Sequence, residues 1–537
     1  MSGLGTPLAA YRPTSPPDPL ETRPQASRLK ELAGSRIAVV RTMPPGSGVE
    51  PVAELVRYRL ETLGAATDDI MRRDFMADDP DERAELARSF EGVVFVAGPT
   101  ATTTGLTIRY AAELEILGTP SSVIYFENFA PTVAHALDRS RTNPAAVSIG
   151  LHRGPEDGPP VAHAISALTS NAEPVGPNTR TDPGTTLSKM VEADSYDILV
   201  ENFHTLGYTD GLPVTLPTAE RVEEMLSGTS LDKEHVVTST FRPEARTVTV
   251  RDVAVNAVMA GARPQQLPVI LAAASLMGLE IVDSMTRSVN SFTFAQYIGG
   301  PYALEAAVEG GLGALGTGNR ANATIARALG LMIRNLGGAV AGVNTTPAQG
   351  NATQGLVFTD NPKHKTSAHT LGLEPWTALQ TDFGFSDNES SLTLYAGGFY
   401  HFGNFYYGGF EEITDALAFP DLPSGALVLV TDKLAQRFIT EGVSREDLQK
   451  RFHERIVRSM GEMRRSGFYP LREALTRRGA EAFGAWPQDY LDLPDDAVVP
   501  VYGRGTIQAC VVGSDASALA QVWIMGKLGT ANIDQFR

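Results

Sequence analysis

His401 sits in Tyr400–His401–Phe402–Gly403, where aromatic walls and permissive glycines could enclose a small ligand. An imidazole in such a water-poor place is suited to acid or base work near neutral pH. The same Gly–aromatic run could instead pack layers together or line an interface between copies of the chain. Asp210 lies in YTDGLPVTLPT (Tyr208–Thr218), a turn by composition, with Pro213 and Pro217 fixing the chain just after it. A rigid loop holding a carboxylate suits a site that must not move, although an Asx-turn leading into a helix would use the same residues. His204, a little earlier, is either a further acid/base group or a surface residue. His401, Asp210 and His204 are the catalytic candidates.

Candidate binding groups fall in three other places. GPTATTTG (Gly98–Gly105) sets four threonines between glycines, and Thr100, Thr103 and Thr104 could cradle a carboxylate or another anion. Alternatively one threonine caps a helix and the rest satisfy the turn. Nothing nearby in sequence supplies a base that would make one of them a nucleophile. Arg263 interrupts an apolar region, so it either caps a helix end or reaches a carboxylate from a buried stem. In GTGNR (Gly316–Arg320), Asn319 and Arg320 could hold an anionic group at a helix start. The competing reading has Asn319 cap that helix and Arg320 pair with an acid such as Glu309. The run lacks the lysine and spacing of a nucleotide loop, so neither ATP nor NAD is expected, and the cofactor is unknown. His364, His369 and His401 could join Asp360, Asp382 or Glu389 in an N/O metal site, but their spacing compels none and no metal is assigned. Cys510, in IQACVVGSD, reads as core, with Ser514 and Asp515 just past its strand.

The elements that must position these groups are legible from pattern. Arg36–Val40 and Gly92–Val96 read as buried strands, Val49–Leu63 and Leu106–Leu117 as helices, and Ser122–Tyr125 as the next strand. That alternation is the βαβ pattern of a mainly parallel sheet, which places ligands at the carboxyl ends of its strands. The loops after Val40, Val96 and Phe126 are therefore where a site is expected. Thr142 to Leu187 reads as irregular excursions or a link, and Val253–Leu279 as two buried helical pieces. Residues 344–410 read as polar and then aromatic–Gly-rich loops. Ala426–Val430 and Ile507–Val512 read as strands, and Arg445–Arg464 as one charged helix. No repeat of fixed period is evident.

Composition limits the function classes. With 537 residues, more than one domain is expected. A formal net charge of −17 speaks against a general nucleic-acid role, which needs a concentrated basic surface. Cys510 is the sole cysteine, so intrachain disulfides and Cys-rich metal or iron–sulfur sites are excluded. No secretion signal or membrane span is evident in the pattern, and the cytoplasm is the expected compartment.

The runs TDGLPVTLPTAERVEEML, TVRDVAVNAVMAGARPQQLPVILAA and GTGNRANATIARALGLMIRNLGG resemble the C-terminal part of proteins carrying a UGSC domain, a family named for a selenocysteine or cysteine motif in its N-terminal α/β domain. GVVFVA followed by TIRYAAELEILGTPSSVIYFENFA is similar to that domain's strand, helix and next strand. The matches touch most of residues 36–345. Where the family carries its Sec/Cys–Gly–Ser–Cys loop, this chain has GPTATTTG, with Thr100 and Thr103 at the reactive positions. A threonine forms no thiolate, so the resemblance implies architecture and a pocket but not redox chemistry by that route. The family's acidic run before a Pro–Trp pair is also changed, to DNPKHKTSAHTLGLEPW.

The expected fold is α/β: an N-terminal mainly parallel-sheet domain followed by a larger α/β or α+β body. Residues 1–30 read as a tail or strap, 31–187 as the UGSC-like domain with its irregular linker, 188–420 as the body and 421–537 as a C-terminal α/β portion. The expected function is an enzyme that binds a small polar or anionic metabolite between domains and does lyase or hydratase chemistry without a cysteine nucleophile. The alternative is a non-catalytic binding or structural subunit of a homo-oligomer.

Overall fold

Arg36–Arg41 carries four consecutive fully buried residues, which only a strand covered on both faces can do. The computed structural model that places it describes residues 8–14, 21–43, 48–72, 79–150, 158–170, 189–287, 293–315, 318–345, 355–406, 409–418, 425–465, 488–514 and 517–537. The chain divides into two compact units: one of residues 18–186 and 340–348, the other of residues 1–17, 187–339 and 349–537. The opening strand β1 (Leu8–Tyr11) belongs to the second.

The 18–186 unit alternates β2 (Arg36–Arg41), α1 (Glu50–Thr62), β3 (Ala66–Met71), α2 (Pro80–Ser89), β4 (Gly92–Val96), α3 (Ala101–Ile116), β5 (Ser121–Phe126), α4 (Ala130–Asp138), β6 (Ala145–Ile149) and α5 (Gly158–Ser166). The five strands pair in the order β3-β2-β4-β5-β6, all parallel. Alternate residues face opposite layers. Ile37, Val39, Val94 and Ile124 pack with α1 and α5, whereas Ala38, Val93, Phe95 and Val123 pack with α3 and α4. The expected first strands and helices are present, but α3 begins at Ala101 rather than Leu106, so Ala101–Thr104 are its first turn and not loop. β3 and α2 were not expected, and β6 and α5 fall in the stretch read as irregular. Its residues 151–157 and 171–188 lie outside the described residues.

The other unit begins with β7 (Met190–Ala193), paired to β1, and α6 (Tyr196–Thr205), α7 (Ala219–Leu226), the hairpin β8 (Val236–Phe241) and β9 (Arg246–Thr249), α8 (Val250–Ala260), α9 (Leu267–Leu276) and α10 (Val282–Arg287). The two buried helical pieces expected in Val253–Leu279 are α8 and α9. Then come β10 (Thr293–Gly299), α11 (Tyr302–Glu305), α12 (Arg320–Asn335), β11 (Leu356–Phe358), α13 (His364–Thr370) and the long β12 (Ser391–Tyr406). After α14 (Phe410–Ala418) follow β13 (Ala426–Val430), α15 (Asp432–Thr440), α16 (Arg445–Arg455), β14 (Val457–Ser459), α17 (Met460–Arg465), β15 (Val498–Pro500), β16 (Ile507–Val511) and the long β17 (Leu519–Asn532).

Six of these strands form one sheet in the order β11-β10-β12-β17-β13-β16. The order reads alike from both ends. Each half is a strand, a helical crossover, a parallel neighbour, and a long strand returning antiparallel on the other side. The two long strands pair with each other at the centre. The edges also meet: the Asn361 amide, just past β11, donates to the Val511 carbonyl at 2.7 Å, and its side chain donates to Gly513 O at 2.7 Å. The sheet therefore curls into a barrel. Residues of all six strands, among them Tyr297, Phe358, Tyr395, Trp523, Leu427 and Cys510, share one interior cluster. The outer face is covered by α8, α9 and α12 in one half and by α14, α15 and α16 in the other.

Two expectations are corrected. The charged stretch Arg445–Arg464 is not one helix: Ile456 turns extended at the end of α16, and β14 takes ladder bonds from β15 before α17 begins. The β-branched pair Ile456–Val457 fits a strand, and the ladder outweighs the charge pattern. The aromatic–Gly stretch is the strand β12, with register irregularities between Gly397 and His401 and between Phe402 and Phe405. Residues 188–420 and 421–537 share this one sheet, so position 420 divides a single layer.

Candidate functional site

In the parallel sheet the chain starts at β2, adds β3 on one side and then crosses to β4 on the other. The loops after β2 and β4 therefore diverge at a topological switch point, the usual ligand position in such sheets. Here they are tied together. The Gly98 amide donates to Thr42 Oγ1 at 2.9 Å, and the Thr42 amide to the Val96 carbonyl at 3.3 Å. A Cβ on Gly98 would lie 1.9 Å from Met43 Cγ, so glycine is what lets the loops close. α3 starts at this point.

Thr100 is the N-cap of α3, accepting from the Thr103 amide at 3.1 Å. Thr103 Oγ1 lies 2.8 Å from Thr100 Oγ1 and 3.1 Å from Gly98 O, and Thr104 Oγ1 donates to Gly98 O at 3.1 Å. The three predicted binding hydroxyls thus brace their own loop. What the loop offers a ligand is the first turn of α3 and the positive end of its dipole, with Ala101, Thr102, Thr103 and Thr104 all buried. At the carboxyl end of β3, Arg72 is fully buried, pairs with Glu82 at 3.4 Å and stacks 3.9 Å above the Tyr110 ring. Tyr110 also donates to Glu82 at 3.0 Å, and burial, with the Glu82 charge behind it, pushes its phenol far up. Sequence reasoning missed Arg72; its one signal was an arginine directly after a strand.

In the other unit, Asp210 receives a two-point contact from Arg327 of α12, Nε and Nη2 each at 2.8 Å. Partial burial works against the carboxylate, but the hydrogen bonds and charge of Arg327 prevail and hold it below its ordinary range. Asp210 is thus a clamp for its loop. His204 Nδ1 meets Thr209 Oγ1 at 2.8 Å, beside that clamp. Arg263 is exposed and precedes a short 3-10 turn. Asn319 caps α12 through the Asn322 amide at 3.2 Å, and exposed Arg320 donates to Gly261 O, at the end of α8, at 3.1 Å, rather than to Glu309. Gly316 and Thr317 of that motif lie outside the described residues, as does Asp515. His401 is in β12 opposite Trp523, and its side chain lies outside the described residues.

Of the histidines and acids considered together for a metal, His364, Asp360, Asp382 and Glu389 take separate partners. His364 Nδ1 meets buried Asp432 at 2.6 Å, and Asp432 also accepts from Ser367 at 2.6 Å and Gln436 at 2.8 Å. The Trp376 amide, which can only donate, reaches His364 Nε2 at 3.1 Å. The ring proton therefore sits on Nδ1, and the nitrogen that a base would use is occupied. Although Ser, His and Asp are all present, they do not form a nucleophile–base chain, because the serine contacts the acid. Glu389 accepts from Ser386, and among the described residues no three His, Cys, Asp or Glu side chains gather as metal ligands.

Asp360 and Asp382 lead instead to the barrel. The Asp360 carboxyl accepts from the Tyr297 hydroxyl, from Cys510 Sγ at 3.3 Å and from the Leu379 amide at 3.4 Å. Asp360 keeps some accessible surface, but its oxygens face these inward groups; depth governs the carboxyl, and burial raises it above the usual range. Burial also drives the Cys510 thiol well up, with the Asp360 charge adding to it. Asp382 holds Arg445 at 2.5 and 2.7 Å, and Arg445 also reaches Gln449, Thr377 and Thr381. The segment 377–383 is thereby fastened over this end of the barrel. Tyr297 and Arg445 escaped sequence reasoning, since their partners Asp360 and Asp382 are distant in sequence, and Tyr395 escaped it because its strand read as a loop.

No family model matches the chain, and no curated protein matches it. Among the described residues no helix is long and apolar enough to cross a membrane.

Proposed function

We propose that the chain is an enzyme acting on a small polar or anionic metabolite held at the switch point between β2 and β4. One observation carries this reading: the strand order reverses there, and the two diverging loops are closed on each other at Thr42 and Gly98, beside the start of α3. A helix start at low dielectric favours negative charge, so a carboxylate or phosphate is the group expected to dock. Lyase or hydratase chemistry fits, since it needs an anion clamp and one proton-transfer group. No thiolate is invoked, because the sole cysteine is buried and its thiol is pushed up. The resemblance to UGSC proteins belongs to the same proposal: Gly98–Gly105 stands for their motif loop, keeping the pocket without the chalcogen.

A second reading has a specific observation in its favour. The Thr100, Thr103 and Thr104 hydroxyls all turn into their own loop, as they would in a binding subunit that carries out no reaction. Native mass spectrometry of the freshly purified full chain would identify a retained compound, which is then incubated with fresh protein. Conversion supports the enzyme; retention without conversion supports the binding subunit. A chain that holds no compound and binds neither phosphate nor small carboxylates would sink both.

A further inference from the structure

We propose that the closed end of the barrel is a second binding position, in which the Tyr395 hydroxyl and the Arg445 Nε–H hold a neutral oxygen beside the Asp360 carboxyl. The occupant is the carbonyl or hydroxyl oxygen of a small polar ligand, with water in its place when no ligand is bound. The position is in the other unit from the switch point and stands whatever that site does.

Tyr395 projects from β12 into the barrel interior and is fully buried. Its hydroxyl has no hydrogen-bond partner among the described residues. Arg445 is nearly as buried. Both of its terminal nitrogens are engaged, by Asp382, Gln449, Thr377 and Thr381, while Nε is buried with no partner among the described residues. Native proteins rarely leave such groups unpaired. Tyr395 shares the interior cluster with Tyr297, Cys510 and Leu379, whose hydroxyl, thiol and backbone amide all donate to Asp360, and Leu379 lies within the 377–383 segment that Arg445 holds. Two donors with nothing to donate to call for an acceptor.

Charge selects which acceptor. Arg445 is already matched by the two-point contact with Asp382. Asp360 adds a carboxyl that accepts from three donors. A bound anion would meet that carboxyl at low dielectric, where like charges repel strongly. A neutral oxygen accepts both hydrogen bonds without this repulsion.

A crystal structure of the full chain, purified without added small molecules, tests this directly. An ordered oxygen is expected within roughly 2.7–3.2 Å of both Tyr395 Oη and Arg445 Nε. Tyr395→Phe should lose that oxygen and unfold at a lower temperature, because a satisfied buried hydrogen bond has gone. Tyr395 Oη packed only against carbon would overturn the proposal. So would a Tyr395→Phe variant that unfolds at an equal or higher temperature, since deleting an unpaired buried hydroxyl costs nothing. If the variant does not fold, the parent crystal structure decides alone.

Discussion

Cys510 shows how far single residues can be read. A lone cysteine in an apolar run reads as core, and it is fully buried in the barrel interior. A disulfide-exchange reagent should therefore label the folded chain only as slowly as the barrel opens, and label it at once in denaturant. Prompt labelling of the native chain, followed by absorbance, would contradict this burial. Asp210 reads equally well as a catalytic acid or a turn residue, because Arg327 is 117 positions away and invisible from the loop. Capping stood in the sequence as the alternative to ligand binding, for one threonine of Gly98–Gly105 and for Asn319, and Thr100 and Asn319 are the caps, each with its amide within one turn. The Asp210 clamp has a pH signature. Its folded carboxyl titrates below the unfolded value, so its stabilisation is present above about pH 4 and lost as pH falls through the folded value. Asp210→Asn should cost about 1–3 kcal/mol at neutral pH. Melting temperatures of parent and variant should converge in acid, and an equal gap at every pH would deny the ion pair this role.

At the scale of elements, strands flanked by turn residues were legible, because burial on both faces leaves an unbroken apolar run. β12 was not, since its glycines and aromatics resemble a loop until β10 and β17 supply partners on both sides. The same tertiary pairing divides the charged stretch after Arg445. The seam of the barrel depends on a close approach that no pattern discloses. A Cβ on Gly310 would lie 2.4 Å from the carbonyl oxygens of Thr359 and Asp360, while Gly310 O accepts from the Gly513 amide at 2.8 Å. Both obstacles are backbone and cannot swing aside. Gly310→Ala should therefore destabilise by about 1–3 kcal/mol, read as a lower unfolding midpoint. An unchanged midpoint would show that the seam yields easily.

At the scale of the whole molecule, the α/β class and the leading parallel sheet were legible from element order, whereas the symmetric barrel was not. Its two halves share topology but differ in the length and number of their crossover helices, which hides any sequence period. A chain ending at residue 420 would lack β13, β16 and β17, including the central partner of β12. Such a chain should aggregate or remain unfolded by circular dichroism, and a soluble, cooperative product would mean that the halves fold separately. The proposed function turns on the start of α3, where charge can be changed without changing the cap. Thr100→Asn and Thr100→Asp both preserve the N-cap and differ by one negative charge. Calorimetric titration with inorganic phosphate and a panel of small dicarboxylates and hydroxycarboxylates should find an anion that the parent and Thr100→Asn bind alike. Thr100→Asp should bind that anion at least about tenfold more weakly, or about 1.4 kcal/mol. Equal binding by the Asn and Asp variants, or a parent that binds none of these anions, would contradict an anion site at the switch point.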